Sequence, residues 1–154
     1  MNRIERSDVE FKYVLDQPVD ILVVDDDPIQ REFASVYLST PVATVETAPC
    51  AMDGLEMLAS RKFDVALVDI DMPGISGFEM VRRLRANPAF HDLPIIVVTG
   101  REDIMSIDEA YDAGATSFVT KPVNWRLLSH QIRFVLRTHR ALRAPLAEQT
   151  ARAA

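Results

Sequence analysis

One cysteine, Cys50, occurs in 154 residues. A lone thiol excludes an intrachain disulfide and a thiolate metal cluster, and leaves Cys50 as a small, half-buried residue. Histidine is scarce as well. His91, His130 and His139 are scattered without metal-ligand spacing, and read as surface or helix-face residues. Basic residues are outnumbered, 17 Lys and Arg against 23 Asp and Glu, for a net charge of −6 and a pI near 5.0. That balance argues against a nucleic-acid surface, which is built on a basic patch. No apolar run approaches the roughly 20 residues that span a bilayer. The first seventeen residues, MNRIERSDVEFKYVLDQ, are charged throughout and lack the apolar centre of a signal peptide. The expectation is a cytoplasmic protein that touches neither membrane nor nucleic acid directly. There are no internal repeats. With 48% hydrophobic and only 7% aromatic residues, the composition is that of an ordinary globular protein long enough for one well-filled core.

Five short apolar runs are present: DILVV (20–24), ATVET (43–47), DVALV (64–68), PIIVV (94–98) and TSFV (116–119). They are β-branched and mostly continuous, as strands covered on both faces are. Between them lie segments of helical spacing. Ile29, Phe33, Val36 and Tyr37 share one face, as do Met52, Leu55, Leu58 and Ala59. Phe78, Val81, Leu84 and Arg85 follow, then Ile104, Ile107, Ala110 and Tyr111. A last helix begins near Asn124 and carries Leu127, Leu128, Ile132, Val135 and Leu136. Five strand–helix alternations predict an α/β fold, a doubly wound parallel sheet in the flavodoxin-like order 2-1-3-4-5. Leu128, Ile132, Val135, His139 and Leu142 also form a heptad-like seam, although the first three are needed to cover the sheet. Pro145 is expected to end this helix. In residues 1–17, Val9, Phe11 and Tyr13 alternate with polar residues while Val14 and Leu15 break the pattern, so the structure of that arm stays open.

Chemistry-bearing residues follow the strand runs. Asp25, Asp26 and Asp27 follow the first, Asp69 the third, Thr99 the fourth and Lys121 the fifth. In a sheet of this order they share one edge. Adjacent carboxylates at the end of a buried strand repel one another and are costly to desolvate, so a cation is expected among them. An oxygen-only donor set selects a hard ion such as Mg2+. Beside it Asp69 can act as a nucleophile toward a phosphoryl donor, giving an aspartyl phosphate, with Lys121 and the Thr99 hydroxyl holding phosphoryl oxygens. Taken singly, each residue is an unremarked turn or cap residue. Asp27, just before Pro28, is explained fully that way and is given no chemical role.

The stretches VVDDDP, LVDIDMPGISGFEM, PIIVVTG and GATSFVTKP together resemble the receiver domain of two-component response regulators, over roughly residues 19–137. The resemblance implies a phosphorylation switch with a receiver over 18–138, an N-terminal extension over 1–17 and a helical extension and tail over 139–154. It implies Asp69 as phosphoacceptor and Asp25, Asp26, Asp69 and the Asp71 backbone carbonyl as ligands of Mg2+ or Mn2+. Thr99 and Phe118 become the switch pair, Lys121 the phosphoryl-binding lysine, and the bond to Pro122 a cis one. The partners implied are a bacterial sensor histidine kinase or phosphotransfer protein. A homodimer through the fourth helix, fifth strand and fifth helix, or through the long last helix, is also implied. Such a domain is not an enzyme in the ordinary sense, since its substrate is itself. Residues two beyond the phosphoacceptor and the switch threonine, Asp71 and Arg101 here, depart from the commonest pattern, while Gly100 keeps the site open. The long last helix resembles receivers fused to output domains. Two other readings stand beside this one: a degenerate receiver serving as a scaffold or dimerisation module, and a phosphohydrolase of the haloacid-dehalogenase kind. The second is weakened because DID at 69–71 follows the third strand and not the first.

Overall fold

The structure is a computed structural model that describes residues 12–143. The strands are β1 (Val19–Val24), β2 (Ala43–Ala48), β3 (Val65–Val68), β4 (Ile95–Thr99) and β5 (Ser117–Thr120). The helices are α1 (Pro28–Leu38), α2 (Ala51–Ser60), α3 (Gly77–Ala86), α4 (Ile104–Ala113) and α5 (Trp125–Arg143). All five strands are parallel, in the order β2-β1-β3-β4-β5. Each expected strand and helix is present, in the expected order.

The continuous apolar strands feed two cores, because successive side chains point to opposite faces. Leu22, Val24, Ala66, Val68, Ile95 and Val97 face α2, α3 and α4, meeting Leu58, Phe78, Met80, Val81, Leu84 and Ala110. Ile21, Val23, Val65, Leu67, Ile96 and Val98 face α1 and α5, meeting Ala34, Leu38, Leu128, Ile132, Val135 and Leu136. Burying a side chain of this size contributes about 1.5–3 kcal/mol, so these two layers supply most of the drive to fold.

Helix ends follow local chemistry. Asp27 caps α1 by accepting from the Ile29 amide at 2.9 Å, with Pro28 in the first turn, where a missing N–H costs nothing. Ser76 caps α3 by accepting from Glu79, and Asp103 caps α4 by accepting from Ser106. Gly114, at φ 112°, ends α4 in the left-handed conformation that glycine adopts without strain.

Three helices orient differently from what periodicity alone suggests. In α1 the stripe Ile29, Phe33, Val36, Tyr37 faces out, and the helix meets the sheet through Ala34 and Leu38. Tyr37 stacks on Trp125 of α5, with ring centroids 5.8 Å apart. In α2 the buried residues are Ala51, Gly54 and Leu58, and Met52 is exposed. In α4 they are Ser106, Ala110 and Ala113, while Ile104 and Tyr111 are exposed. Leu127 of α5 is exposed as well.

Val14 and Leu15, from the arm before β1, are buried, and the Leu15 carbonyl accepts from the Thr40 hydroxyl at 2.8 Å. Val9, Phe11, Pro145 and the last residues lie outside the described part of the chain. α5 continues without a break through residue 138. Among the described residues no helix is long and apolar enough to cross a membrane.

Candidate functional site

The carboxyl ends of β1, β3, β4 and β5 converge on one polar cluster. Pairing Val24 with Val68 puts the residues after β1 and β3 side by side, and the Asp69 amide donates to the Val24 carbonyl at 2.9 Å. Asp25 and Asp69 are each only 5% exposed, whereas Asp26 is open to solvent. One oxygen from each of the three carboxylates lies within 4.8 Å of the others. An all-oxygen group of that spacing, with one member solvent-facing, fits a hard divalent cation that keeps part of its water shell.

The ammonium in the cluster comes from the residue just after β5. Lys121 Nζ lies 2.8 Å from Asp25 Oδ2 and 3.5 Å from Asp69 Oδ2. Its amide donates to the Thr99 carbonyl at 2.8 Å, and the Lys121–Pro122 bond is cis. Asp25 is held on several sides. Oδ1 accepts from the Asp27 amide at 2.9 Å, Oδ2 from Lys121, and the backbone carbonyl from the Arg31 guanidinium at 2.8 Å. Asp69 is held more loosely, by the Asp71 amide at 3.4 Å and by Lys121.

Burial pushes the Asp69 carboxyl up to about 6, against the pull of Lys121 and the Asp71 amide and with the help of Asp25 and Asp26. Burial lowers Lys121, but its hydrogen bond to Asp25 and the charge of Asp69 outweigh that and leave it raised. Three carboxylates thus share one lysine, and burial is the main reason that the Asp69 carboxyl stays raised. A buried carboxylate with a perturbed pKa and few hydrogen bonds is poised to take an electrophile or a cation.

Thr99 is fully buried at the end of β4, and its Oγ1 accepts from the Arg101 amide at 3.3 Å. Phe118 pairs with Val97, so by strand register it stands on the same face as Thr99, one pleat away. It packs half-buried against the core and stands apart from the acidic cluster. Asp71 points to the rim, where Arg101 grips it: Nε donates to Oδ2 at 3.0 Å and a second guanidinium nitrogen donates to Oδ1. Gly100 has open space around it.

Two contributors escaped the sequence reading. A Cβ on Gly77 would sit 2.2 Å from the Asp69 carbonyl oxygen, and the Gly77 amide donates to Ile70 at 2.9 Å. Only glycine lets α3 begin so close beneath the Asp69 backbone, and the GISG stretch was its one visible sign. Arg31, which braces Asp25, left no signal, since one exposed-looking arginine in a helix resembles any other.

The sequence profile of the response regulator receiver domain matches residues 21–133. The chain belongs to this family. Among curated relatives, the transcriptional regulatory protein AfsQ1 of Streptomyces coelicolor is 37% identical over 117 residues, 76% of this chain and 51% of that protein. The heme response regulator HssR of Staphylococcus aureus is 34% identical over 121 residues, 79% of this chain and 53% of that one. The chain thus spans about half the length of these relatives. Among solved structures, the chemotaxis protein CheY4 of Vibrio cholerae superposes with a TM-score of 0.73 at 30% identity, covering 77% of this chain and 98% of that one. A CheY-like receiver domain from Methanospirillum hungatei gives 0.74 at 29% identity, covering 80% and 98%. The family is a signalling phosphoacceptor of two-component systems, and this chain has the family's fold with a cluster of aspartates at the carboxyl edge of its sheet.

Proposed function

We propose that this receiver takes a phosphoryl group on Asp69 from a histidine kinase or phosphotransfer protein and uses it to change the surface formed by α4, β5 and α5. The observation that carries the reading is the charge imbalance around Asp69: three carboxylates within 4.8 Å served by a single lysine. Asp25, Asp26, Asp69 and the Asp71 carbonyl would hold Mg2+ or Mn2+, which supplies the positive charge that this donor set is short of.

Within that frame each residue has a defined task. An Asp69 oxygen attacks phosphorus, the bond from phosphorus to the donor's nitrogen or oxygen breaks, and the donor leaves with that electron pair. The Lys121 ammonium, within reach of Asp69 already, neutralises a phosphoryl oxygen. The Thr99 hydroxyl turns from the Arg101 amide to donate to another. Moving Thr99 opens room on the face it shares with Phe118, which swings inward and reshapes the α4–β5–α5 surface to set dimerisation or output. Local charge thereby biases a two-state element. The outward apolar stripe of α1, which starts three residues after Asp25, is the surface we assign to the docking donor. Residues 18–138 form the receiver in this reading, acting in the cytoplasm.

Intact mass after incubation with acetyl phosphate and Mg2+ tests this directly. The expected result is one phosphoryl adduct on the wild-type chain, none on Asp69→Asn, and none with a chelator. A wild-type chain that stays unmodified by both acetyl phosphate and a panel of histidine kinases is a scaffold, and the proposal fails.

A further inference from the structure

We propose that the groove between the arm before β1 and helix α5 is a docking site for an extended, acidic segment of a partner protein, held by Arg133 and Arg137 over an apolar floor. The groove lies beside the start of β1, away from the aspartates that follow the strand's far end, so the inference stands apart from the phosphoacceptor reading.

Charge is unevenly spread along this acidic chain. α5 carries five of the 17 basic residues and none of the 23 acidic ones. Four of the five, Arg126, Arg133, Arg137 and Arg140, recur at steps of seven, four and three, which puts them on one stripe of the helix. Like charges at such spacings repel, and no carboxylate on α5 relieves them. The two ends of the stripe hold the arm: the Arg126 guanidinium donates to the Lys12 carbonyl at 3.4 Å, and that of Arg140 to the Pro18 carbonyl at 3.3 Å. Between these clamps stand Arg133 and Arg137, one turn apart. Their side chains make no hydrogen bond or ion pair among the described residues.

The arm and α5 enclose a groove of about 640 Å3, the size of a ligand-binding cleft. Its floor is apolar, built from Val14, Leu15, Val19 and Leu136, all of them buried. Arg133 and Arg137 stand exposed at its rim. On the arm side the amides of Val14, Asp16 and Gln17 make no hydrogen bond among the described residues, which leaves main-chain donors for an extended chain to use. The spacing fits as well. Side chains one helical turn apart lie roughly 6 Å from each other, and alternate side chains of an extended chain about 6.6 Å. The two guanidiniums therefore match carboxylates at every second position, each able to pair through two parallel hydrogen bonds. The residues between, on the other face of the segment, are left to cover the floor. That floor is recessed, so a chain that enters the groove reaches it and a flat anionic surface such as a membrane does not.

The test is fluorescence anisotropy of a labelled peptide of alternating Glu and Val, titrated with the full chain. Saturable binding is expected, weakening as salt is raised and absent for the peptide with Lys in place of Glu. Arg133→Ala with Arg137→Ala should bind about tenfold more weakly, the loss of two partly exposed ion pairs. Arg133→Glu with Arg137→Glu should lose the Glu peptide and gain the Lys one, an exchange that misfolding cannot imitate. Loading by acetyl phosphate should be equal in wild type and these variants; a chain that binds the peptide but does not load keeps the docking site and loses the phosphoacceptor reading. Failure of the wild-type chain to bind the Glu peptide, or binding that the double Ala variant keeps, overturns the proposal. So does binding that appears only once the chain's own acids are neutralised in Asp8→Asn with Glu10→Gln, which makes the N-terminal segment the occupant. Sedimentation with phosphatidylglycerol vesicles that needs Arg133 and Arg137, without peptide binding, overturns it in favour of a membrane.

Discussion

The two edges of the sheet treat charge in opposite ways. At the carboxyl edge three carboxylates share one lysine, and Asp69 is left with a raised pKa. At the amino edge a single half-buried cation, Arg85, is surrounded by acceptors. Its Nε donates to the Gly114 carbonyl at 2.8 Å, one terminal nitrogen reaches the carbonyls of Leu93, Phe90 and His91 at 2.6, 3.1 and 3.2 Å, and the other reaches the Thr116 hydroxyl at 3.3 Å. The fit is close enough that a Cβ on Gly114 would lie 2.5 Å from Arg85 Cγ. Folding demands that a buried charge be answered, and at the amino edge the protein answers it with its own carbonyls. Where it leaves the answer incomplete, a ligand is expected to complete it. Satisfied charge marks structure, and unsatisfied charge marks chemistry.

Breaking the satisfied edge should cost the most. Arg85→Ala strands several backbone carbonyls that the guanidinium now serves, and is expected to destabilise the fold by about 2–4 kcal/mol. A urea titration reads this as a lower midpoint. At temperatures where the variant stays folded, its loading by acetyl phosphate should match wild type, because nothing at the carboxyl edge has changed.

The unsatisfied edge should respond with the opposite sign. Asp69 has a folded pKa of about 6 against an ordinary value of 3.8, so the folded chain holds this proton more tightly than the unfolded one. Its contribution is fully present below about pH 4 and is lost as pH rises through 6. Asp69→Asn removes that loss. In metal-free buffer at pH 7 it should be more stable than wild type by roughly 1–3 kcal/mol, with the difference vanishing near pH 4. Melting curves across this range decide it; an Asn variant less stable than wild type at pH 7 would refute a net cost of burying the Asp69 charge.

The smallest effect sharpens the contrast. Mg2+ at ten times its dissociation constant should stabilise wild type by about 1.4 kcal/mol. Arg85→Ala should gain the same amount, since its edge is remote from the acids. Asp25→Asn should gain little or nothing. An equal rise in melting temperature for all three would place the ion elsewhere.

Legibility in the sequence followed the range of the interaction. Strands and their order could be read because a parallel sheet covered on both faces needs continuous β-branched runs, and DILVV and PIIVV supply them. The conjunction of Asp25, Asp26, Asp69, Thr99 and Lys121 could be read because each follows a strand, and strand ends in such a sheet share an edge. The inner face of α1 could not. A 3.6-residue period says that Ile29, Phe33, Val36 and Tyr37 lie together, but not which way they point; that Ala34 and Leu38 turn inward is decided by how α1 packs on the sheet and α5. Arg85 was placed among apolar neighbours on its helix, yet its acceptors lie five to thirty-one residues away in sequence.

By itself, then, the sequence determined the elements, their alternation and the residue types waiting at one edge, since these depend on local propensity and on patterning within a few residues. Tertiary structure decided which carboxylate Lys121 grips more closely, that Gly77 must give way to the Asp69 backbone, and that Arg101 closes on Asp71. Those outcomes depend on how closely separate loops and helix ends approach one another, and such distances exist only once the strands have paired.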